Sequence, residues 1–104
     1  FNFVNFWIPI SGVTSNSSLP IVPKSHLIPE NKIERTLIGG TLGTNKYRVR
    51  LIKVWDKKNT LIRSNINYGE VLIFSPFLIH GLALNQEKNK TRVALEFRLF
   101  KLEK

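Results

Sequence analysis

Cysteine and methionine are both absent from this 104-residue chain. Without thiols there is no disulfide framework, no thiolate metal site and no thiol nucleophile. No methionine opens the chain, and strand-like alternation begins almost at its first residue. It therefore reads as a processed product or as a fragment of a longer protein. Histidine occurs at His26 and His80 alone, and neither is followed two positions later by a carboxylate, so there is no His-x-Asp or His-x-Glu motif. No apolar run reaches the roughly 18 residues that cross a bilayer. The opening Phe-Asn-Phe-Val-Asn-Phe-Trp lacks the basic leader of a signal peptide. These absences predict a cytoplasmic protein that does not span a membrane.

Negative charge is scarce. Sixteen Lys and Arg stand against seven Asp and Glu, a formal net charge of +9. An excess of this size suits an anionic partner. It is equally what a genome biased toward Ile, Asn and Lys produces, and the lysines are scattered from Lys24 to Lys104 without clustering. At this length one domain is expected, burying about two thirds of its unfolded surface.

Most of the chain alternates with period two and reads as strand. Asn2 to Ile10 sets Phe3, Asn5, Trp7 and Pro9 against Val4, Phe6, Ile8 and Ile10. Leu19 to Val22 is a short strand between prolines, as at an edge or bulge. Pro29 to Arg35 suits a short helix with proline in its first turn. Gly39, Gly40 and Gly43 predict a flexible loop without a phosphate-binding pattern. Tyr47 to Trp55 reads as a strong strand, Thr60 to Ile66 as a weaker one, and Asn67-Tyr68-Gly69 as a turn. Glu70 to Phe74, Leu78 to Leu84 and Thr91 to Leu102 complete an all-β set. Strands in succession without long helices predict an antiparallel sandwich or barrel.

The residues that could carry chemistry lie late in the chain. His80 follows Phe77, Leu78 and Ile79, so it faces a dry interior, either as a satisfied core residue or as a metal ligand. Arg92 opens the last strand among Val93, Ala94 and Leu95. Inward and unpaired it is costly; its planar fork suits bidentate capture of a carboxylate. Outward, it would pair with Glu96 or Glu70. Arg92, Ala94, Glu96 and Arg98 share one strand face.

Four pieces of the sequence, in order, resemble the C-terminal part of the phytanoyl-CoA dioxygenase-like branch of iron(II)- and 2-oxoglutarate-dependent oxygenases. They are similar to members of the streptomycin-biosynthesis type that serve antibiotic and surface-sugar biosynthesis. Asn5-Phe6-Trp7-Ile8-Pro9-Ile10 resembles the strand after the family's His-x-Asp loop. Ser18 to His26 resembles the stretch ending in Pro-Gly-Ser-His, with Lys24 in place of the glycine. Gly69-Glu70-Val71-Leu72-Ile73-Phe74 resembles the Gly-Asp-Val-hydrophobic-Phe strand. His80, Asn85 and Arg92 resemble the distal histidine, the loop asparagine and the 2-oxoglutarate arginine. Leu82 stands where a small polar residue is common.

The resemblance implies a double-stranded β-helix, a jelly-roll or cupin-like barrel, here lacking its first strands. It implies Fe(II) held by two histidines and a carboxylate, with His80 as the distal ligand. Arg92 and Asn85 would hold 2-oxoglutarate, Arg98 being the rival arginine, while His26 and Trp7 would line the site. The substrate would be a small molecule, anionic if the charge is a guide. Because the His-x-Asp region is not in these residues, the 104-residue chain is expected to be inactive alone. Exposed sheet edges would favour a homodimer, with Phe3, Phe6 and Trp7 at the interface. Two other readings stay open. One is a non-catalytic cupin-like module binding a sugar or anion. The other is a basic β-domain stacking single-stranded nucleic acid on its aromatics.

Overall fold

A computed structural model of the chain describes residues 3–42, 44–81 and 83–102. Among them the chain is all-β, with no helix beyond single 3-10 turns at Ser25–Leu27 and Glu30–Lys32. Expectations that fall on Asn2, Gly43 and Leu82 lie outside the described residues. No helix is long and apolar enough to cross a membrane.

The framework is a three-stranded antiparallel sheet. Its central strand is β1 (Phe3–Ser11). Along it Asn5, Trp7 and Pro9 are buried and alternate with more exposed neighbours, the period-two pattern of a sheet with one face on a core. The last strand, Val93–Phe100, pairs along almost the whole of β1, from Phe3 opposite Phe100 to Ser11 opposite Val93. The strand Leu72–Phe74 pairs on the other side from Asn5 to Trp7 only. Pro9 has no N–H to give a ladder. It lies beyond that second partner, and the register with the last strand shifts between Pro9 and Ser11.

The inner face of this sheet carries the core. Trp7, Val13, Leu19 and Phe74 are buried together, with Ile21, Leu72, Leu78 and Ala94 packed on them. The outer face is apolar too. Val4 lies opposite Leu99, Phe6 opposite Phe97, and Ile8 opposite Leu95. The Phe6 and Phe97 rings stack with centroids 4.9 Å apart.

The other strands, in chain order, are β2 (Pro20–Ile21), β3 (Ile33–Arg35), β4 (Gly40–Leu42), β5 (Asn45–Tyr47), β6 (Ile52–Trp55) and β7 (Ile62–Arg63); Leu72–Phe74 is β8 and Val93–Phe100 is β9. They form two-stranded ladders β2–β7, β3–β6 and β4–β5. No closed barrel is made by the described strands.

Four local expectations are corrected. The helix expected from Pro29 to Arg35 is one 3-10 turn followed by β3, because Ile33 and Glu34 are taken into pairing with Trp55 and Val54. The glycine loop is the start of a hairpin, with β4 beginning at Gly40 and Gly39 at φ +54 close against the Tyr47 carbonyl. The strand expected from Tyr47 to Trp55 is split. Its first part pairs with β4 and its second with β3, and Thr36 captures the backbone between them. The Thr36 N–H donates to the Leu51 carbonyl (2.8 Å), and the Leu51 N–H donates to Thr36 Oγ1 (2.9 Å). Finally, residues 78 to 81 form no strand. Their backbone groups are used by another segment: Val22 N–H donates to the Ile79 carbonyl, Gly81 N–H to the Pro20 carbonyl, and Ile79 N–H to Ser25 Oγ.

Candidate functional site

The inner face of the sheet is organised in rows, because residues opposite one another in an antiparallel ladder point the same way. One row holds Phe74, Asn5 and Arg98; the next holds Leu72, Trp7 and Glu96. His80 and Arg92 attach to different rows of this one face. The His80 ring meets Phe74 edge-on, with centroids 4.7 Å apart. The Arg92 guanidinium carbon lies 5.5 Å from the centroid of the Trp7 ring, a cation–π arrangement.

His80 is held in one tautomer. Its Nδ1 is 2.7 Å from the Leu78 carbonyl oxygen. A carbonyl only accepts, so Nδ1 carries the hydrogen and the neutral ring keeps its lone pair on Nε2. An isolated bridge to Ile21 and the bond from Ile79 N–H to buried Ser25 Oγ (2.7 Å) fix the backbone on either side. Half-buried His80 lines two hollows. One, of about 460 Å³, is lined by His26, Glu30, Arg35, Ile52 and Phe77 among others. A second, of about 540 Å³, is lined by Thr36, Arg50, Trp55 and Leu61 among others. The structure therefore brings His26 and His80 to one cavity. Within its wall Glu30 is paired with Arg35. Arg92 lines neither hollow.

Arg92 has a companion that the sequence did not single out. Arg63, on β7, donates to the Ser18 carbonyl (2.8 Å) and to the Leu84 carbonyl (2.7 Å). Arg92 reaches the neighbouring Ser17 carbonyl at 3.4 Å. Burial, and then the charge of Arg92, pull the Arg63 guanidinium below its usual range. Two cations thus converge on one stretch of backbone, and among the described residues no carboxylate pairs with either. Neither Glu96 nor Glu70 takes up Arg92. Only the alternation of Ile62 and Arg63 between turns marked the second arginine, and a two-residue strand carries too little pattern to reveal its face.

The remaining candidates are placed as follows. Arg98 donates through Nε to Oδ1 of buried Asn5 (3.2 Å) and lies over the Phe3 ring. Trp7 is buried in the core under Arg92, which removes it from the expected interface. Asn85 is exposed and occupied by its own loop: its Nδ2 donates to the Lys90 carbonyl (3.0 Å), and its Oδ1 accepts from Glu87 N–H (2.8 Å). His26 sits exposed in the 3-10 turn after Lys24, which is in the left-handed conformation at φ 65.

The metal expectation meets an incomplete donor set. An Fe(II) site of this kind needs two imidazoles and a carboxylate on one face. Among the described residues no cluster of three or more His, Cys, Asp or Glu could hold a metal ion. The residues present do not fit Fe(II) by themselves. Protein-family models, curated proteins and solved structures were all compared with the chain, and none of them matches it.

Proposed function

We propose that this chain forms later strands of a double-stranded β-helix and supplies one side of an iron(II)- and 2-oxoglutarate-dependent dioxygenase site that acts on a small, anionic molecule. The observation that carries the reading is the common face. A tautomer-locked His80 and an Arg92 without a carboxylate partner both attach to the inner face of β8-β1-β9. Lys24 adds support. It occupies the place of the family's glycine and adopts the left-handed conformation that favours glycine.

In this reading Arg92 binds the far carboxylate of 2-oxoglutarate, Arg63 adds positive potential beside it, and Trp7 lies against the Arg92 guanidinium. Arg98, anchored to Asn5, is the alternative arginine. His80, with Nε2 left as the acceptor nitrogen, contributes a single imidazole. With that donor set no catalytic step is assigned through iron.

A second reading keeps the same surface but makes it a non-catalytic module binding a sugar or an anion. The convergence of Arg63 and Arg92 favours it, since two guanidinium groups capture a carboxylate without a metal.

Calorimetric titration of 2-oxoglutarate, with and without Fe(II) under anaerobic conditions, separates the two. The oxygenase reading expects metal to tighten 2-oxoglutarate binding, His80→Ala to abolish that gain, and Arg92→Ala to weaken binding about 10- to 100-fold. Binding that depends on Arg92 but ignores both metal and His80 leaves the module reading. If 2-oxoglutarate does not bind at all, or binding is lost only in Arg98→Ala, the assignment of Arg92 fails.

A further inference from the structure

Lys53 lies at an irregularity in the β3–β6 ladder. Glu34 pairs with Val54 and Arg35 with Ile52, so Lys53 between them has no partner on β3 and forms a bulge. In an unbroken strand Arg50 and Lys53, three positions apart, would point to opposite faces. The split before β6 and the bulge within it bring both into the lining of the hollow of about 540 Å³ that His80 also lines. Arg50 is set in place by its neighbours. Its Nε donates to the Thr36 carbonyl at 2.8 Å, and Thr36 is itself tied to Leu51 through its N–H and its hydroxyl oxygen. That bond uses Nε and leaves the two Nη groups at the end of the guanidinium for a two-point contact.

The charge of this hollow says what it takes. No acidic residue lines it, and among the described residues no carboxylate pairs with Arg50 or Lys53. From Arg35 to Trp55 the chain carries five Lys and Arg and no Asp or Glu. Uncharged protein packed into the hollow would bury both cations without a counter-charge, which is costly. An anion removes that cost. A carboxylate is fully used by one guanidinium fork, whereas a phosphoryl group brings close to two charges and three acceptor oxygens, enough for a fork and an ammonium together. The volume of about 540 Å³ also falls within the roughly 300–1,000 Å³ of small-molecule sites.

We infer that this hollow binds the phosphoryl group of a phosphorylated small molecule, a phosphate ester or a diphosphate, with Arg50 contributing its fork and Lys53 a point charge. The rest of the ligand then lies along the same hollow, on the wall that His80 and Ile79 share with Trp55. Naming this ligand the substrate rests on the dioxygenase reading, in which His80 marks the reacting end. Phosphate capture by Arg50 and Lys53 does not rest on it, and it uses neither Arg92 nor Arg63.

Calorimetric titration of the whole chain with inorganic pyrophosphate, at about 0.15 M salt so that diffuse attraction is screened, is the test. One pyrophosphate per chain is expected. Arg50→Ala should weaken it about 10- to 100-fold and Lys53→Ala at least about threefold. Lys46→Ala, which removes a cation from the β4–β5 hairpin outside the hollow, should change it less than about twofold. Should Arg50→Ala fail to fold, Lys53→Glu, at an exposed position without a side-chain bond, decides alone and is expected to abolish binding. Arg92→Ala should leave pyrophosphate binding in place, so failure of the 2-oxoglutarate site and failure of this one are read separately. Competition by a nucleoside diphosphate, without adherence to phosphatidic acid vesicles, supports a soluble phosphorylated ligand; adherence that pyrophosphate displaces supports the same site with a lipid phosphate as its source. No binding of pyrophosphate overturns the proposal. So does binding that Lys46→Ala weakens as much as Arg50→Ala, or binding of a single-stranded oligonucleotide that pyrophosphate does not compete, because the charge then acts as a surface and not as a site.

Discussion

Arg92 stands over Trp7, 5.5 Å from the centroid of its ring, and Trp7 is itself 2% exposed at the centre of the core. A cation is thereby fixed by a buried aromatic rather than by a carboxylate. Its charge reaches Arg63, whose guanidinium is lowered by burial and by Arg92. Repulsion between two such groups is relieved by whatever anion binds between or beside them.

Dicarboxylates are therefore expected to raise the melting temperature more than chloride at equal ionic strength. A ligand at a hundred times its dissociation constant stabilises by about 2.7 kcal/mol. Arg92→Ala should abolish this difference, and Arg92→Lys should restore only part of it, because an ammonium lacks the fork. Thermal melts with 2-oxoglutarate and with sodium chloride measure it. Equal responses of parent and Arg92→Ala would remove the anion site.

Two left-handed positions should respond in opposite directions. Gly12, at φ +68, brings the place of a β-carbon within 2.1 Å of the Thr91 carbonyl oxygen, next to Arg92. Gly12→Ala forces both backbone strain and a shift of the β9 entry, and is expected to cost about 1–3 kcal/mol. Lys24, at φ 65, already bears that strain. Lys24→Gly should be neutral or stabilising, by up to about 1 kcal/mol. Urea denaturation of both variants checks the contrast.

Ser25 is 1% exposed, and its Oγ accepts the Ile79 N–H at 2.7 Å. Ser25→Ala leaves that donor buried without a partner, at a cost of about 1–3 kcal/mol. Because Ile79 precedes His80, the same change should loosen the ring against Phe74. Denaturant midpoints give the stability, and the imidazole proton shifts report the ring.

Glu87 ties two distant loops together. Its carboxylate accepts from Thr14 Oγ1 (2.6 Å) and from Asn16 Nδ2 (3.2 Å). The Thr14 bond, then the Asn16 bond, hold the carboxyl below its ordinary range. A depressed folded-state value means the contribution is complete above the unfolded pKa of about 4.3 and is lost as pH falls through the lower folded value. Stability should therefore drop on acidification below about pH 4.3, and Thr14→Val should flatten that drop. Denaturation curves from neutral pH into acid, on parent and variant, test it.

The residues alone were enough for the all-β class, the long first and last strands, the turn at Asn67-Tyr68-Gly69 and the singling out of His80 and Arg92. Alternation between Asn5, Trp7 and Pro9 and their neighbours is a local signal, and burial of one sheet face follows from it directly. Partner choice is not local. Residues 78 to 81 read as a strand, yet their backbone groups are claimed by Pro20, Val22 and Ser25, more than fifty positions earlier. Tyr47 to Trp55 reads as one strand, yet it is divided between two partners. The meeting of Arg63 with Arg92, the seating of Arg92 on Trp7 and the covering of only one apolar face were decided by tertiary structure. Each depends on which segments satisfy one another's hydrogen bonds and buried surface, and a period of two says which way a side chain points without saying what it meets.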